Sequence, residues 1–246
     1  MRAHPRMATL ASIPPSRPGR DWTLALSLAT LALLLVALYW ALVGAPTEAT
    51  MGTIQRIFYY HVPAALAAWT AFLINAAASL VYLARRSPQA DALAVAGAEV
   101  GLAFLTINLI TGPIWARPVW GVWWVWDPRL TLTLVMWVMY ASYLLLRRLT
   151  PEGSLQPRLA AALAMFFAVD IPIDYMAIRW WPTQHPAPVL FGGPNSGLAP
   201  RMWVALLLSM AAFLALMGML MSLRYKQERL RTALRELREQ QLLAVE

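Results

Sequence analysis

The stretch ALAVAGAEVGLAFLTINLITGPIWARPVWGVWWVWDPRLTLTLVMWVMYASYLLL, residues 92–146, joins two apolar runs, Ala92 to Thr111 and Leu130 to Leu146, through a tryptophan-rich connection. As helices, runs of this length match the hydrocarbon thickness of a bilayer. Further apolar runs lie at Trp22 to Val43, Val62 to Ala84, Arg158 to Ile178 and Met202 to Leu223. An all-α integral membrane protein with six transmembrane helices is expected. A composition of 60% hydrophobic and 13% charged residues, with mean hydropathy +0.55, lies outside the range of soluble domains and agrees.

Basic residues in the connections set orientation, because they are retained on the cytoplasmic side. Arg2, Arg6, Arg17, Arg20, Arg85, Arg86, Arg147, Arg148, Arg158, Arg224, Lys226, Arg229, Arg231, Arg235 and Arg238 fall on one side of the six spans. Only Arg56, Arg117, Arg129, Arg179 and Arg201 fall on the other. Both termini are therefore expected in the cytoplasm, with the tryptophan-rich connection facing outward. The net charge of +8 then reflects topology and contact with anionic lipid, and no nucleic-acid partner is expected. No phosphate-cradling Gly-Lys loop is present, so nucleotide hydrolysis by that route is excluded. Cysteine is absent, which excludes disulfides, thiolate metal sites and thioether attachment of a cofactor to this chain.

Three regions follow. Residues 1–21 carry four prolines and four arginines without apolar periodicity and read as a disordered cytoplasmic tail. Residues 22–223 form the membrane domain, whose first span is too long for a signal-peptide core and is expected to remain uncleaved. Residues 224–246 read as a charged amphipathic helix in the cytoplasm, with Leu230, Leu234 and Leu237 on one side.

Within the connection at 111–129, Trp115, Trp120, Trp123, Trp124 and Trp126 exceed what an interfacial anchor needs, and a flat aromatic ligand is the simplest cause. Gly112-Pro113 reads as the end of the third helix. Asp127 and Pro128 read as N-cap and first residue of the fourth. Trp120, Trp123 and Trp124 at i, i+3, i+4 would share one face of a short surface helix, whereas a strand would group Trp120, Trp124 and Trp126.

Of three histidines, His4 lies in the tail, while His61 and His185 end up in the two outward loops flanking the tryptophans. Singly, each reads as an interfacial hydrogen-bonding residue. Together they can supply both axial positions of a haem iron, with aromatic rings covering the macrocycle. Two or three of the loop tryptophans could lie against a porphyrin, the others serving as interfacial belt or loop core, and Asp127 reads equally as helix N-cap and as orienting a ligand or partner. Arg56, Arg117 and Arg129 are available to pair with propionates. Inside the spans, Asp170 and Asp174 flank Pro172, and Glu99, Asn75 and Asn108 are the other notable polar residues. Buried carboxylates are functional candidates, here as a proton path, although Asp174 has the ordinary alternative of pairing with Arg179.

The pattern WG-x-WW-x-WD-x-RLT at 120–131 resembles the signature of the tryptophan-rich haem-handling proteins of cytochrome c biogenesis. RIFYYHVPAA around His61 and RWWPTQHP around His185 extend the likeness over most of residues 50–225, and six spans place the chain with the short branch of the family. Pro128 occupies a position where the motif varies. The resemblance implies haem b as a transient cargo, His61 and His185 as axial ligands, and Trp120 to Asp127 as the haem platform. It also implies delivery to a periplasmic haem chaperone from the bacterial inner membrane. Expected partners are the subunits of an ATP-driven transporter and a small single-span membrane protein. Two rival functions are an electron-transfer cytochrome b, which typically places its ligands at membrane depth, and a haem permease, for which no inverted repeat is visible.

Overall fold

The computed structural model describes residues 22–151, 153–186, 189 and 197–243. The tail expected at 1–21 and the part of the last outward loop holding Pro188 and Pro194 lie outside the described residues. Six helical stretches are long and apolar enough to cross a membrane, matching the six runs in the sequence.

The first span is α1 (Trp22–Tyr39), which runs into a π-helical turn at Trp40–Gly44. A 3-10 turn at Thr53–Ile57 leads into α2 (Phe58–Arg85), so His61 sits in the opening turn of a helix and not ahead of it. Next come α3 (Pro88–Trp120) and α4 (Pro128–Leu149). The fifth span consists of two helices, α5 (Leu155–Phe167) and α6 (Asp170–Trp180). Pro172 explains the break, because its ring excludes the carbonyl of Ala168 from a helical bond. Ile171 N–H instead reaches back three residues to that carbonyl at 3.3 Å.

The third helix does not stop at Gly112-Pro113 as expected. It continues through Pro113 and Pro118 to Trp120 and ends on Gly121, whose φ of 79° is the left-handed conformation that suits glycine after a helix. The prolines cost helical hydrogen bonds, but the extension is packed: Ala116 is buried, and Trp115 meets Phe58 edge-on at 6.1 Å. Residues 121–127 are non-helical, so the short surface helix envisaged for Trp120, Trp123 and Trp124 does not form. Thirty-three residues of α3 span about 50 Å, well beyond the ~30 Å hydrocarbon layer. Trp115 and Trp120 thus ride on the protruding end of a rigid helix.

The core lies between α2 and α3, packed against α4, α5 and α7 (Pro200–Leu243). Ala67, Ala68 and Ala71 of α2 face small residues of α3, and a methyl added to Gly97 would lie 2.7 Å from the Ala71 carbonyl oxygen. The close approach needs that glycine. Phe72 stacks on Tyr140 with centroids 3.5 Å apart, tying α2 to α4. Arg147 of α4 grips Asp91 of α3 through two 2.7 Å hydrogen bonds at the end of the bundle away from the tryptophans. Around the outside, Leu24, Leu28, Leu31, Leu35 and Leu38 of α1 are exposed, as befits a surface in contact with lipid.

α7 is continuous for 44 residues, about 66 Å, so its apolar half and the charged segment from Arg224 onward are one helix. Glu99, a candidate for a proton path, forms an ion pair with Arg224, which also holds Glu228 at 2.9 Å. Glu99 therefore fastens α3 to the place where α7 turns from apolar to charged.

Candidate functional site

A cavity of about 180 Å³ opens at the end of the bundle where α2 and α4 begin and α3 and α6 end. His61 and His185 both line it. Its walls include the indoles of Trp69, Trp115, Trp120 and Trp124, and Arg129 is the one arginine of the three propionate candidates that reaches it.

His61 is placed by α2 and held by α3. Its Nδ1 lies 2.9 Å from Thr111 Oγ1, and the Asn108 amide donates to the His61 carbonyl at 3.0 Å. The Thr111 hydroxyl has its single proton directed at the Ile107 carbonyl, 2.8 Å away. With that bond made, the hydroxyl is set to accept from an Nδ1–H imidazole, and the Asn108 amide nitrogen lies 3.2 Å from Nε2. Trp115 meets the ring edge-on at 5.8 Å.

His185 reaches the same state by a different route. Its Nδ1 lies 3.0 Å from the Pro186 carbonyl oxygen, which can only accept, so Nδ1 is again the protonated nitrogen. Burial depresses its pKa to about 4, and the positive charge of Arg129 acts in the same sense. The imidazole is neutral at neutral pH and presents a free Nε2. The His185 amide donates to Thr183 Oγ1 at 3.0 Å, and Thr183 in turn donates to Asp127 Oδ2 at 2.5 Å.

Asp127 joins two elements. Its Oδ1 accepts from Leu130 N–H at 2.9 Å as the N-cap of α4, while Oδ2 takes Thr183 and, at 3.2 Å, Gln184 N–H. This carboxylate links the tryptophan loop to the histidine loop and does not line the cavity. The tryptophans divide as well. Trp120 and Trp124 line the cavity, whereas Trp123 and Trp126 are 59% and 76% exposed on the outside of the loop. Trp115 and Trp124 each carry a buried indole N–H with no hydrogen-bond partner in a cavity otherwise rich in apolar surface.

The arginines separate sharply. Arg56 donates to the Ala41 carbonyl at 2.9 Å and closes the end of the first span, and Arg117 bonds the Gly121 carbonyl at the end of α3. Arg129 lies 5.0 Å above the Trp69 ring and pairs with Asp174, Nη1 to Oδ1, at 3.5 Å. The partner of Asp174 is thus Arg129 and not Arg179, whose guanidinium sits 4.9 Å over the Tyr175 ring. Asp170, one turn earlier, is buried with Oδ2 unpartnered.

Sequence reading did not single out Thr111, Gly112 or Thr183. Asn108, Thr111, Gly112 and Trp115 do have the i, i+3, i+4, i+7 spacing of one helical face. That signal was hidden by ending the helix at Gly112-Pro113.

A profile of the family described as Heme exporter protein C matches residues 16–240. The chain is 34% identical to Heme exporter protein C of Haemophilus influenzae over 202 residues, 82% of either chain. It is 36% identical to the protein of that name from Bradyrhizobium diazoefficiens over 217 residues, 88% of this chain and 82% of the relative. The Rhodobacter capsulatus protein of the same name is 33% identical over 217 residues, 88% of this chain and 90% of the relative. With matches of this extent, the chain belongs to the heme exporter protein C family.

Proposed function

We propose that this protein holds haem at the outer face of the bacterial inner membrane and hands it to a periplasmic haem chaperone during cytochrome c maturation. The observation that carries the reading is that the only two histidines among the described residues line one cavity, each with Nδ1 hydrogen-bonded. Two imidazoles are too few for a bare ion, and no group of three or more His, Asp or Glu gathers among the described residues. They suffice for an iron whose equatorial ligands come from a macrocycle.

In this reading His61 and His185 are the axial ligands of haem b as cargo. Trp120 and Trp124 lie against the porphyrin, and Arg129 meets a propionate in exchange for part of its contact with Asp174. Asp127 keeps His185 in range through Thr183. Trp123 and Trp126, exposed on the outside of the same loop, face the chaperone. A cavity open at the end of the bundle suits a protein that must give its ligand away. The excess of basic residues on the opposite side supports a periplasmic position for the site. With no nucleotide-binding loop in this chain, ATP-driven transporter subunits supply the energy for release, and a small single-span protein completes the complex.

Visible absorption spectra of the detergent-purified protein, co-expressed with its chaperone, test the assignment. His61→Ala and His185→Ala are each expected to weaken or alter the haem spectrum. Spectra identical to the parent in both variants would remove these histidines as ligands.

A further inference from the structure

We propose that Thr111 is the positioning residue for His61: it fixes the Nδ1–H tautomer of the imidazole and thereby aims Nε2 at the iron and sets how strongly it donates. The inference rests on the reading of His61 as an axial ligand and adds a residue that touches neither iron nor porphyrin.

The argument begins with proton bookkeeping. Thr111 Oγ1 lies 2.8 Å from the Ile107 carbonyl and 3.2 Å from that of Asn108, and both of these oxygens can only accept. Its one proton is committed to its own helix, which leaves a lone pair toward His61 Nδ1 at 2.9 Å. The opposite tautomer would need the hydroxyl to abandon those carbonyls. It would also turn an N–H at Nε2 toward a cavity where the neighbouring group, the Asn108 amide nitrogen at 3.2 Å, is itself a donor. That amide cannot be reversed, because the His61 carbonyl 3.0 Å away requires a donor. In the haem-free protein the Asn108 nitrogen, 3.2 Å from Nε2, donates to its lone pair, a bond that gives way when Nε2 meets the iron.

The ring is also confined. A methyl added to Gly112 would lie 3.4 Å from His61 Cε1, so the imidazole packs against the bare backbone of α3, with Trp115 on its edge. Asn108, Thr111, Gly112 and Trp115 occupy successive positions on one face of α3 and form a seat for this one side chain. A ligating histidine whose other nitrogen donates to an acceptor is oriented and made more basic, and losing such a partner typically costs about 10–100-fold in metal affinity.

Thr111→Val keeps the shape and removes the acceptor, while Thr111→Ser keeps the acceptor. Haem-loaded protein is mixed with a haem scavenger, and the rate of haem loss and the midpoint potential are measured for the parent, both variants and His61→Ala. Thr111→Val is expected to lose haem about 10–100-fold faster. Its potential should shift positive, because a weaker imidazole donor stabilises ferric iron less. Thr111→Ser should follow the parent in both readouts.

A Thr111→Val protein equal to the parent while His61→Ala loses haem would overturn the positioning role and leave the ligand assignment standing. A Thr111→Ser protein that loses haem as fast as Thr111→Val would overturn it too, because the hydroxyl acceptor would then not be what matters. His61→Ala that binds haem like the parent would instead remove the ligand reading on which the inference rests.

Discussion

At the scale of single residues, the Arg129–Asp174 pair is where the energetics concentrate. Asp174 is fully buried, and Arg129, largely buried too, donates to the Asp174 backbone oxygen and forms an ion pair with its carboxylate. Thr133 adds a hydrogen bond to the same carboxylate at 3.2 Å. Removing one partner of such a pair leaves an uncompensated charge in a poorly hydrated place, at a cost of about 3–5 kcal/mol. Arg129→Ala is therefore expected to destabilise the haem-free protein by about that amount in a reversible unfolding measurement in bicelles. Adding Asp174→Asn should recover much of the loss, because no charge is then stranded. An Arg129→Ala protein as stable as the parent would show that water already solvates Asp174. Working without haem separates this structural role from contact with a propionate.

At the scale of elements, the junction between the tryptophan loop, the start of α4 and the histidine loop depends on Asp127. One oxygen caps the helix and the other clasps Thr183 and Gln184, so a single carboxylate fixes three segments. Its two duties can be separated. Loss of an N-cap costs about 0.5–2 kcal/mol, so Asp127→Ala should lower the thermal midpoint by circular dichroism and also weaken the haem spectrum. Thr183→Val leaves the cap intact and breaks the link to the His185 amide. It should keep the parental midpoint while reducing the haem signal as Asp127→Ala does. A haem spectrum unchanged by Thr183→Val would mean that Trp180, Trp181 and Pro182 alone hold the histidine loop in place. The charge at the end of WWVWD is thus read first as architecture.

At the scale of the whole molecule, the site and the charged end of α7 lie at opposite ends of the bundle. Between Pro200 and Arg224 the helix climbs about 36 Å, more than the hydrocarbon layer. The Glu99–Arg224 pair anchors it before the charged segment begins. Truncation after Tyr225 is therefore expected to leave the haem spectrum of the purified protein unchanged, any loss being confined to recovery of the assembled complex. A weakened spectrum would reveal coupling along α7. The six spans and the clustering of both histidines at one end of them could be read from the chain itself, because apolar runs of bilayer length are local properties that the membrane interprets without reference to the rest of the fold. The tryptophan pattern was equally open to reading, since its density has no ordinary explanation. The division of those tryptophans into cavity wall and exposed rim could not be seen, because it depends on α3 persisting through Pro113 and Pro118 against the start of α2. Nor could the choice of Arg129 over Arg179 for Asp174, or the seating of His61 on Thr111: these join residues 45 and 50 positions apart. Sequence determined the six spans and which groups fall at one end of them. Tertiary packing decided which of them meet, since hydrogen bonds and ion pairs form only between groups that separate helices bring within about 3 Å.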